Sequence, residues 1–327
     1  MITSRISDLI GRTPLLKLPV AGGGATVLLK LEQFNPTGTA KIRMARNMVD
    51  EAEEAGLLTP GGWLVESTSG NTGLGLALVA AERGYKFTAV VDNHSSTDKL
   101  RGMLAYGAEI LNVAGDEEGL ATAERDTTAE RLAAEHGAYW TAQHRNEGNP
   151  NGYRPLAREL HDDLGDSIDY LYGAVGTGGS LCGTGRFLRE RIPDLKIIGV
   201  EPVGSVVFGG EGAPYHQSGT GTPAGSEIGR VIDYDVFDEG LKVSDAEAFE
   251  TCRYLARNLG VLIGGSAGGV VYKALERAES APPGTTIVVL VCDGGDKYLD
   301  TVFNDDWMAA NGLFDEQVVR RLAALLR

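Results

Sequence analysis

A chain of 327 residues with 43% hydrophobic content can bury one large core or two joined ones, and it holds no apolar run long enough to span a bilayer. Its 30 Lys+Arg against 45 Asp+Glu leave a formal charge of −15, which opposes long-range attraction to nucleic acid or anionic membranes while still permitting a local positive pocket. Three cysteines without a C-x-x-C pair and five histidines without an H-x-x-x-H pair argue against a disulfide framework and a metal site, and the polar stretch after Met1 fits a cytoplasmic protein, not a secreted one.

Short runs rich in Val, Ile and Leu alternate with longer amphipathic stretches, the rhythm of an α/β fold built on largely parallel sheet. In chain order the spacing predicts strand 26–31, helix 42–55, strand 63–65, helix 73–83, strand 87–91, helix 97–106, strand 109–113 and helices 120–136 and 155–164. Strand 170–174, helix 183–191, strand 196–202, helices 245–259 and 268–279 and strand 286–292 follow. Turn residues gather at Gly148-Asn149-Pro150-Asn151-Gly152, where a change of domain is expected. The segment 204–234, rich in Gly, Ser and Pro, is too long for a simple connector and reads as a cover for a site. The acidic group Asp116-Glu117-Glu118 and the run His161-Asp162-Asp163 read as solvated faces. The cysteines, His94 and the remaining histidines form no ligand set, and no internal repeat is evident.

Four segments carry chemistry. Glu66-Ser67-Thr68-Ser69-Gly70-Asn71-Thr72-Gly73 leads from a strand into a helix, so backbone N–H groups, the helix dipole and the Thr68, Ser69 and Asn71 side chains can converge on an anion such as a carboxylate. Taken alone, it is better explained as an ordinary N-cap. Gly176-Thr177-Gly178-Gly179-Ser180 follows another strand and could cradle a phosphate, with glycines admitting close backbone approach. It lacks the Lys-Ser/Thr of a nucleotide P-loop and the position of a dinucleotide fingerprint. Asn35-Pro36-Thr37-Gly38-Thr39-Ala40-Lys41 delivers a lysine to a helix start, where a cation is unfavourable; Lys41 is either a solvated surface residue or an amine of depressed pKa. Gly264-Gly265-Ser266-Ala267-Gly268-Gly269 sets one hydroxyl among glycines at a further helix start.

Five blocks in order, Ile10-Gly11-Arg12-Thr13-Pro14-Leu15, Asn35-Pro36-x-Gly38-x-x-Lys41-x-Arg43, Thr68-Ser69-Gly70-Asn71-Thr72-Gly73, Gly176-Thr177-Gly178-Gly179-Ser180 and Gly265-Ser266-Ala267-Gly268, resemble the cysteine synthase and cystathionine β-synthase family of pyridoxal-phosphate enzymes, fold type II, including O-acetylserine sulfhydrylases. The resemblance implies an α/β tryptophan-synthase-β-like fold with the cofactor between two parallel-sheet-centred domains. The larger, cofactor-binding domain would comprise residues 1–42 and 147–327, and the smaller, mobile, substrate-binding domain residues 43–146. It further implies that Lys41 carries pyridoxal 5'-phosphate as a Schiff base and moves the substrate α-proton, that Asn71 bonds the ring hydroxyl, that Gly176, Thr177, Gly178, Gly179 and Ser180 hold the phosphate, and that Ser266 faces the ring nitrogen. Thr68, Ser69, Gly70, Thr72 and Gln143 would bind the substrate carboxylate.

The implied reaction is β-replacement on O-acetyl- or O-phospho-L-serine through an aminoacrylate, with a sulfur nucleophile giving L-cysteine. Alternatives are the same half-reaction with homocysteine, as in cystathionine β-synthase, or with an amino-acid amine, as in diaminopropionate-precursor synthases. A partner-binding pseudoenzyme is the non-enzyme alternative. Small amino-acid substrates and a homodimer are the implied partners. Two departures stand out: Ile42 replaces the family's usual Asp after the lysine, and Ala224-Gly225-Ser226-Glu227-Ile228-Gly229-Arg230 lacks a clean Gly-Ile-Gly turn, leaving Glu227 and Arg230 as candidates for recognising an amino-acid nucleophile. Cys292-Asp293-Gly294-Gly295-Asp296-Lys297-Tyr298-Leu299 looks like sulfhydrylases of the B type, whereas Gly265-Ser266-Ala267-Gly268 looks like the cystathionine β-synthase side.

Overall fold

The computed structural model describes residues 2–22, 24–92, 97–113 and 122–326; His94, Asp116-Glu117-Glu118 and the first two residues of the expected helix 120–136 lie outside them. The strands are β1 (Leu15–Lys17), β2 (Thr26–Leu31), β3 (Trp63–Ser67), β4 (Lys86–Val91), β5 (Glu109–Asn112), β6 (Tyr139–Trp140), β7 (Tyr170–Ala174), β8 (Lys196–Pro202), β9 (Glu239–Val243) and β10 (Thr286–Val291). They form a six-stranded sheet, β1-β2-β10-β7-β8-β9, and a four-stranded sheet, β5-β4-β3-β6. Every pair is parallel except β1 with β2. The composition of β10, Thr-Ile-Val-Val-Leu-Val, accounts for its central place, because a strand covered on both faces needs a continuous apolar run in place of alternation.

Between the sheets runs the helix Lys41–Glu54, whose sequence carries two apolar faces. Ile42, Ala45, Val49 and Ala52 join the core of the smaller sheet with Leu64, Leu76 and Phe87. Met44 and Met48 join a different core with Tyr153, Leu171 and Leu290. Ile42 is thus a packing residue, and the apolar environment explains why a carboxylate would be out of place there.

Most expected strands lie within a residue or two of their observed limits, and 26–31, 170–174 and 196–202 coincide with them. Three helices begin two or more residues earlier than expected, at Asn71, Gly179 and Gly265 instead of 73, 183 and 268. Glycines inside these helices serve close packing: a Cβ on Gly183 would overlap the Pro150 carbonyl, and one on Gly268 the Ala248 carbonyl. Elements not expected are β1, β6, β9 and the helices Gly148–Asn151, Asp305–Ala310 and Glu316–Leu325. The last has a readable start, since the Asp315 carboxylate accepts from Gln317 N at 2.8 Å and Val318 N at 3.2 Å.

The long segment after β8 is pinned at its start by the buried Glu201 carboxylate. It accepts from Val207 N at 2.9 Å, Phe208 N at 2.8 Å, the Ser205 hydroxyl and the Lys242 ammonium. Further on, Gly221 N donates to Val175 O at 2.7 Å, laying the segment across the C-terminal end of β7.

Candidate active site

The chemistry-bearing segments follow the C-terminal ends of parallel strands, where open α/β sheets gather their ligands. Lys41 opens its helix beyond β2, the residue block 68–73 follows β3, Gln143 follows β6, the glycine turn follows β7 and Cys292-Asp293 follows β10. These ends face one another across the junction of the two sheets. Thr39 forms an isolated bridge with Asp293, and Ala40 N donates to Cys292 O at 2.8 Å. Burial lowers the Lys41 ammonium pKa, an effect that the nearby Cys292 and Asp293 partly oppose. The helix N-terminus adds to the bias against a cation, which favours the nucleophilic form of this amine.

The backbone around Lys41 is held by its motif neighbours. Arg43 donates from Nε and Nη2 to Glu32 at 2.6 and 2.8 Å, and from Nη1 and Nη2 to Glu159 at 2.8 and 2.9 Å. Glu32 also accepts from the Thr13 hydroxyl at 2.6 Å and Asn35 Nδ2 at 2.9 Å, while Lys30 Nζ reaches Glu159 at 3.0 Å. Asn35 Oδ1 takes the Gly11 N–H at 2.9 Å. Thr13, Asn35 and Arg43 are therefore one charge-assisted clamp joining two of the sequence blocks.

The helix after the 68–73 turn begins at Asn71, and Thr68 Oγ1 accepts from Gly70 N and Gly73 N, both at 3.3 Å. The Thr72 hydroxyl donates to Gln143 Oε1 at 2.7 Å, and Gln143 Nε2 donates to Ser67 O at 3.3 Å, which brings Gln143 against the 68–73 turn. Ser69 and Gly70 lie half-buried beside them. Behind them sits Glu66, 1% exposed, accepting from Ser67 N at 3.0 Å, Gln143 N at 3.1 Å and the Thr141 hydroxyl. Burial pushes its carboxyl up to about 7 against the opposing effect of those donors. Asn71 Nδ2 donates to Asp293 Oδ2 at 2.7 Å, joining this turn to the surroundings of Lys41.

The turn Gly176 to Ser180 is a narrow cradle. A Cβ on Gly176 would lie 2.8 Å from Gly219 O, Gly178 adopts φ +84°, and a Cβ on Gly179 would overlap Asn149 Oδ1. Asn149 Nδ2 donates to Thr177 Oγ1 at 3.1 Å and Gln143 O at 2.8 Å, binding the cradle to the Gln143 turn. Because the helix starts at Gly179, the backbone of Gly179 and Ser180 occupies its first turn, where donors have no intrahelical acceptor. Ser266 likewise lies in the first turn of its helix, next to Gly264, whose N–H donates to Asp293 O at 3.0 Å.

Four residues of the site escaped the reading of individual residues: Lys99, Cys292, Asp293 and Tyr298. The strand-end rule would have found Cys292 and Asp293, which directly follow β10. Cys292 is a thiol beside Lys41; burial pushes its pKa up to about 11, against the opposing effects of Lys41 and of a hydrogen bond with Ser180. The Tyr298 hydroxyl donates to Asp293 Oδ2 at 2.8 Å. The structure keeps Glu227 and Arg230 on an exposed turn, where Glu227 pairs with Arg145 at 3.0 Å and with Arg230 at 3.3 Å.

These residues fit pyridoxal phosphate. Among the described residues Asn71 Oδ1 and Asp293 Oδ1 are buried without a hydrogen-bond partner, the glycine cradle suits a phosphate, and the Lys41 amine has the lowered basicity that carbonyl addition requires. Among the described residues no group of three or more His, Cys, Asp and Glu could hold a metal, and no helix is long and apolar enough to cross a membrane.

Residues 6–293 match the family profile described as "Pyridoxal-phosphate dependent enzyme". A Sinorhizobium fredii (strain NBRC 101917 / NGR234) protein named "Putative cysteine synthase" is 50% identical over 325 residues, covering 98% of this chain and 97% of that protein. A crystal structure of O-ureido-L-serine synthase superposes with a TM-score of 0.87 at 35% identity, covering 95% of this chain and all 100% of the other. The O-acetylserine-dependent cystathionine β-synthase of Helicobacter pylori superposes with a TM-score of 0.82 at 34% identity, over 92% of this chain and 98% of its own. The likeness carries the fold type II architecture expected from the sequence blocks.

Proposed function

The chain belongs to the pyridoxal-phosphate dependent enzymes, and on that premise we propose that it makes L-cysteine from O-acetyl- or O-phospho-L-serine and a sulfur nucleophile. β-Replacement on a serine derivative is the shared chemistry of its named relatives, and pyridoxal phosphate is its cofactor. The observation that carries the reading is the Asn71–Asp293 hydrogen bond, which brings an anion-ready helix start into the same site as a buried amine of lowered pKa. When bound, pyridoxal phosphate draws electrons from the substrate α-carbon and so eases departure of the β-substituent.

The chain's own residues divide the remaining work. Lys41 would hold the cofactor and would carry the α-proton, a task helped by the lowered pKa that burial gives its amine. Asn71 would bond the ring hydroxyl, residues Gly176 to Ser180 would hold the phosphate, and Ser266 would serve the ring nitrogen, each from the first turn of a helix or the turn before it. Thr68, Ser69, Gly70, Thr72 and Gln143 take the substrate carboxylate, orienting the α-carbon toward Lys41. Residues 43–146 act as the smaller, mobile domain and 1–42 with 147–327 as the larger, with closure excluding water. A cytoplasmic homodimer is the expected form.

A second reading, in which the nucleophile is homocysteine or an amino-acid amine, is favoured by the paired guanidiniums of Arg145 and Arg230 around Glu227. Visible absorbance of the holoenzyme on mixing with each serine ester, followed by sulfide, homocysteine or amino acids, separates the two. A change with the ester that sulfide reverses with release of cysteine supports the first reading. Reversal by homocysteine or an amine alone supports the second, and no change with either ester refutes both.

A further inference from the structure

Lys99 is a lysine that packing alone does not explain. It is 5% exposed, and among the described residues its ammonium meets the Ser218 hydroxyl at 3.4 Å and the face of Tyr298 at 5.1 Å, with no carboxylate within ion-pair distance. One hydroxyl and one ring are poor compensation for stripping an ammonium of water, and burial accordingly lowers its pKa. Its position is fixed: Lys99 stands one turn before Met103 on the helix Thr97–Ala105, and Met103 packs so closely on Gly73 that a Cβ there would overlap its sulfur. The Lys99 side chain crosses from the four-stranded-sheet side to Ser218 and Tyr298, which belong to segments following β8 and β10. Asp293, which influences both Lys99 and Lys41, marks the two amines as neighbours of one carboxylate. That carboxylate already accepts from Asn71 and Tyr298, and Lys297 adds a further positive charge nearby. The Lys99 ammonium is therefore left without an ion-pair partner among the described residues, in a chain whose formal charge is −15.

We propose that Lys99 is a specificity-determining residue that receives an anionic group on the reacting molecules, either the phosphate of a departing β-substituent or a carboxylate on the incoming nucleophile. The proposal rests on the β-replacement reading, and its test is built to fail separately from it. A charged partner supplies what the ammonium lacks, and it distinguishes ligands that share a reacting atom but differ in charge.

The test compares wild-type and Lys99→Met holoenzymes, with Lys99→Arg as the charge-retaining control. Donor concentration dependence of the absorbance change is measured with O-phospho-L-serine against O-acetyl-L-serine, and acceptor dependence with mercaptoacetate against 2-mercaptoethanol. The expected result is that Lys99→Met weakens the charged member of one pair by about tenfold or more while its neutral counterpart moves less than about twofold. Loss on O-phospho-L-serine assigns the anion to the leaving group; loss on mercaptoacetate assigns it to the nucleophile. Lys99→Arg should retain most of the discrimination.

Melting temperature provides the arm that needs no turnover. Lys99→Met should melt above wild type, because a buried cation without a carboxylate is removed, and inorganic phosphate should raise the melting temperature of the wild-type holoenzyme but not of the variant. Equal effects on both members of both pairs, or a variant that melts lower and responds to phosphate like wild type, overturn the proposal. A wild type that turns over no donor refutes the β-replacement reading, and the phosphate arm then decides Lys99 by itself.

Discussion

Replacing Arg43 with methionine tests whether the helix that begins at Lys41 is held in place by charge. The substitution keeps an unbranched side chain of similar length, so the change is chiefly electrostatic. Arg43 makes four short donor contacts, to Glu32 and Glu159, and Glu32 is 0% exposed. Without the guanidinium, Glu32 keeps only the neutral donors Thr13 and Asn35, whereas Glu159 keeps Lys30. A buried carboxylate left without its cation costs about 3–5 kcal/mol. Equilibrium urea unfolding of the holoenzyme near neutral pH should show that loss as a lower midpoint at nearly constant slope. The double variant Glu32→Gln/Arg43→Met should recover part of it, because the stranded charge is gone even though the hydrogen bonds are not restored. A loss below about 1 kcal/mol in Arg43→Met, or a double variant no better than the single one, would refute this account of the clamp.

Lys41→Ala should abolish the borohydride-stable attachment of pyridoxal phosphate while leaving the circular dichroism of the fold unchanged, and retained attachment would remove Lys41 from its role. Gly179→Ala should lose pyridoxal phosphate on dialysis and destabilise by about 1–3 kcal/mol, since the new methyl overlaps Asn149 Oδ1; retention of colour equal to wild type would show that the cradle can widen. Glu66 gives a signed pH dependence. Its folded pKa of about 7 lies above the ordinary 4.5, so its contribution to stability is complete below the ordinary value and is lost as pH rises through about 7. The difference is worth about 3 kcal/mol, and Glu66→Gln should flatten that part of a stability–pH profile; an unchanged profile would mean that Glu66 ionises normally.

Much of the site was legible because it is written in short local patterns. Strand, glycine or hydroxyl turn and helix follow one another at 63–83 and 170–189, and the apolar runs of β2, β7 and β8 leave little room for another reading. Long-range relations were not legible. Nothing local says that Asp293 would meet Asn71 across 222 residues of separation, or that Lys99 would be buried instead of solvated. Helix starts were misplaced for a related reason: the glycines at 176–183 give no local sign of where the turn ends, and the close approach of Pro150 to Gly183 comes from a distant segment. The two-residue β6 carries no pattern of its own and exists because Leu64 and Val65 of β3 offer it a partner.

The helix Lys41–Glu54 belongs to two cores at once, and this shapes how the molecule fluctuates. An opening confined to the smaller sheet frees Ile42, Ala45 and Val49 but leaves Met44 and Met48 gripped by the other core, and the converse holds. Neither partial opening releases the backbone that bears Lys41. Amide protons in this helix should thus exchange with solvent only through openings that span both cores, at rates close to those of global unfolding. On this account the reactive amine is anchored to some of the slowest-breathing backbone in the chain.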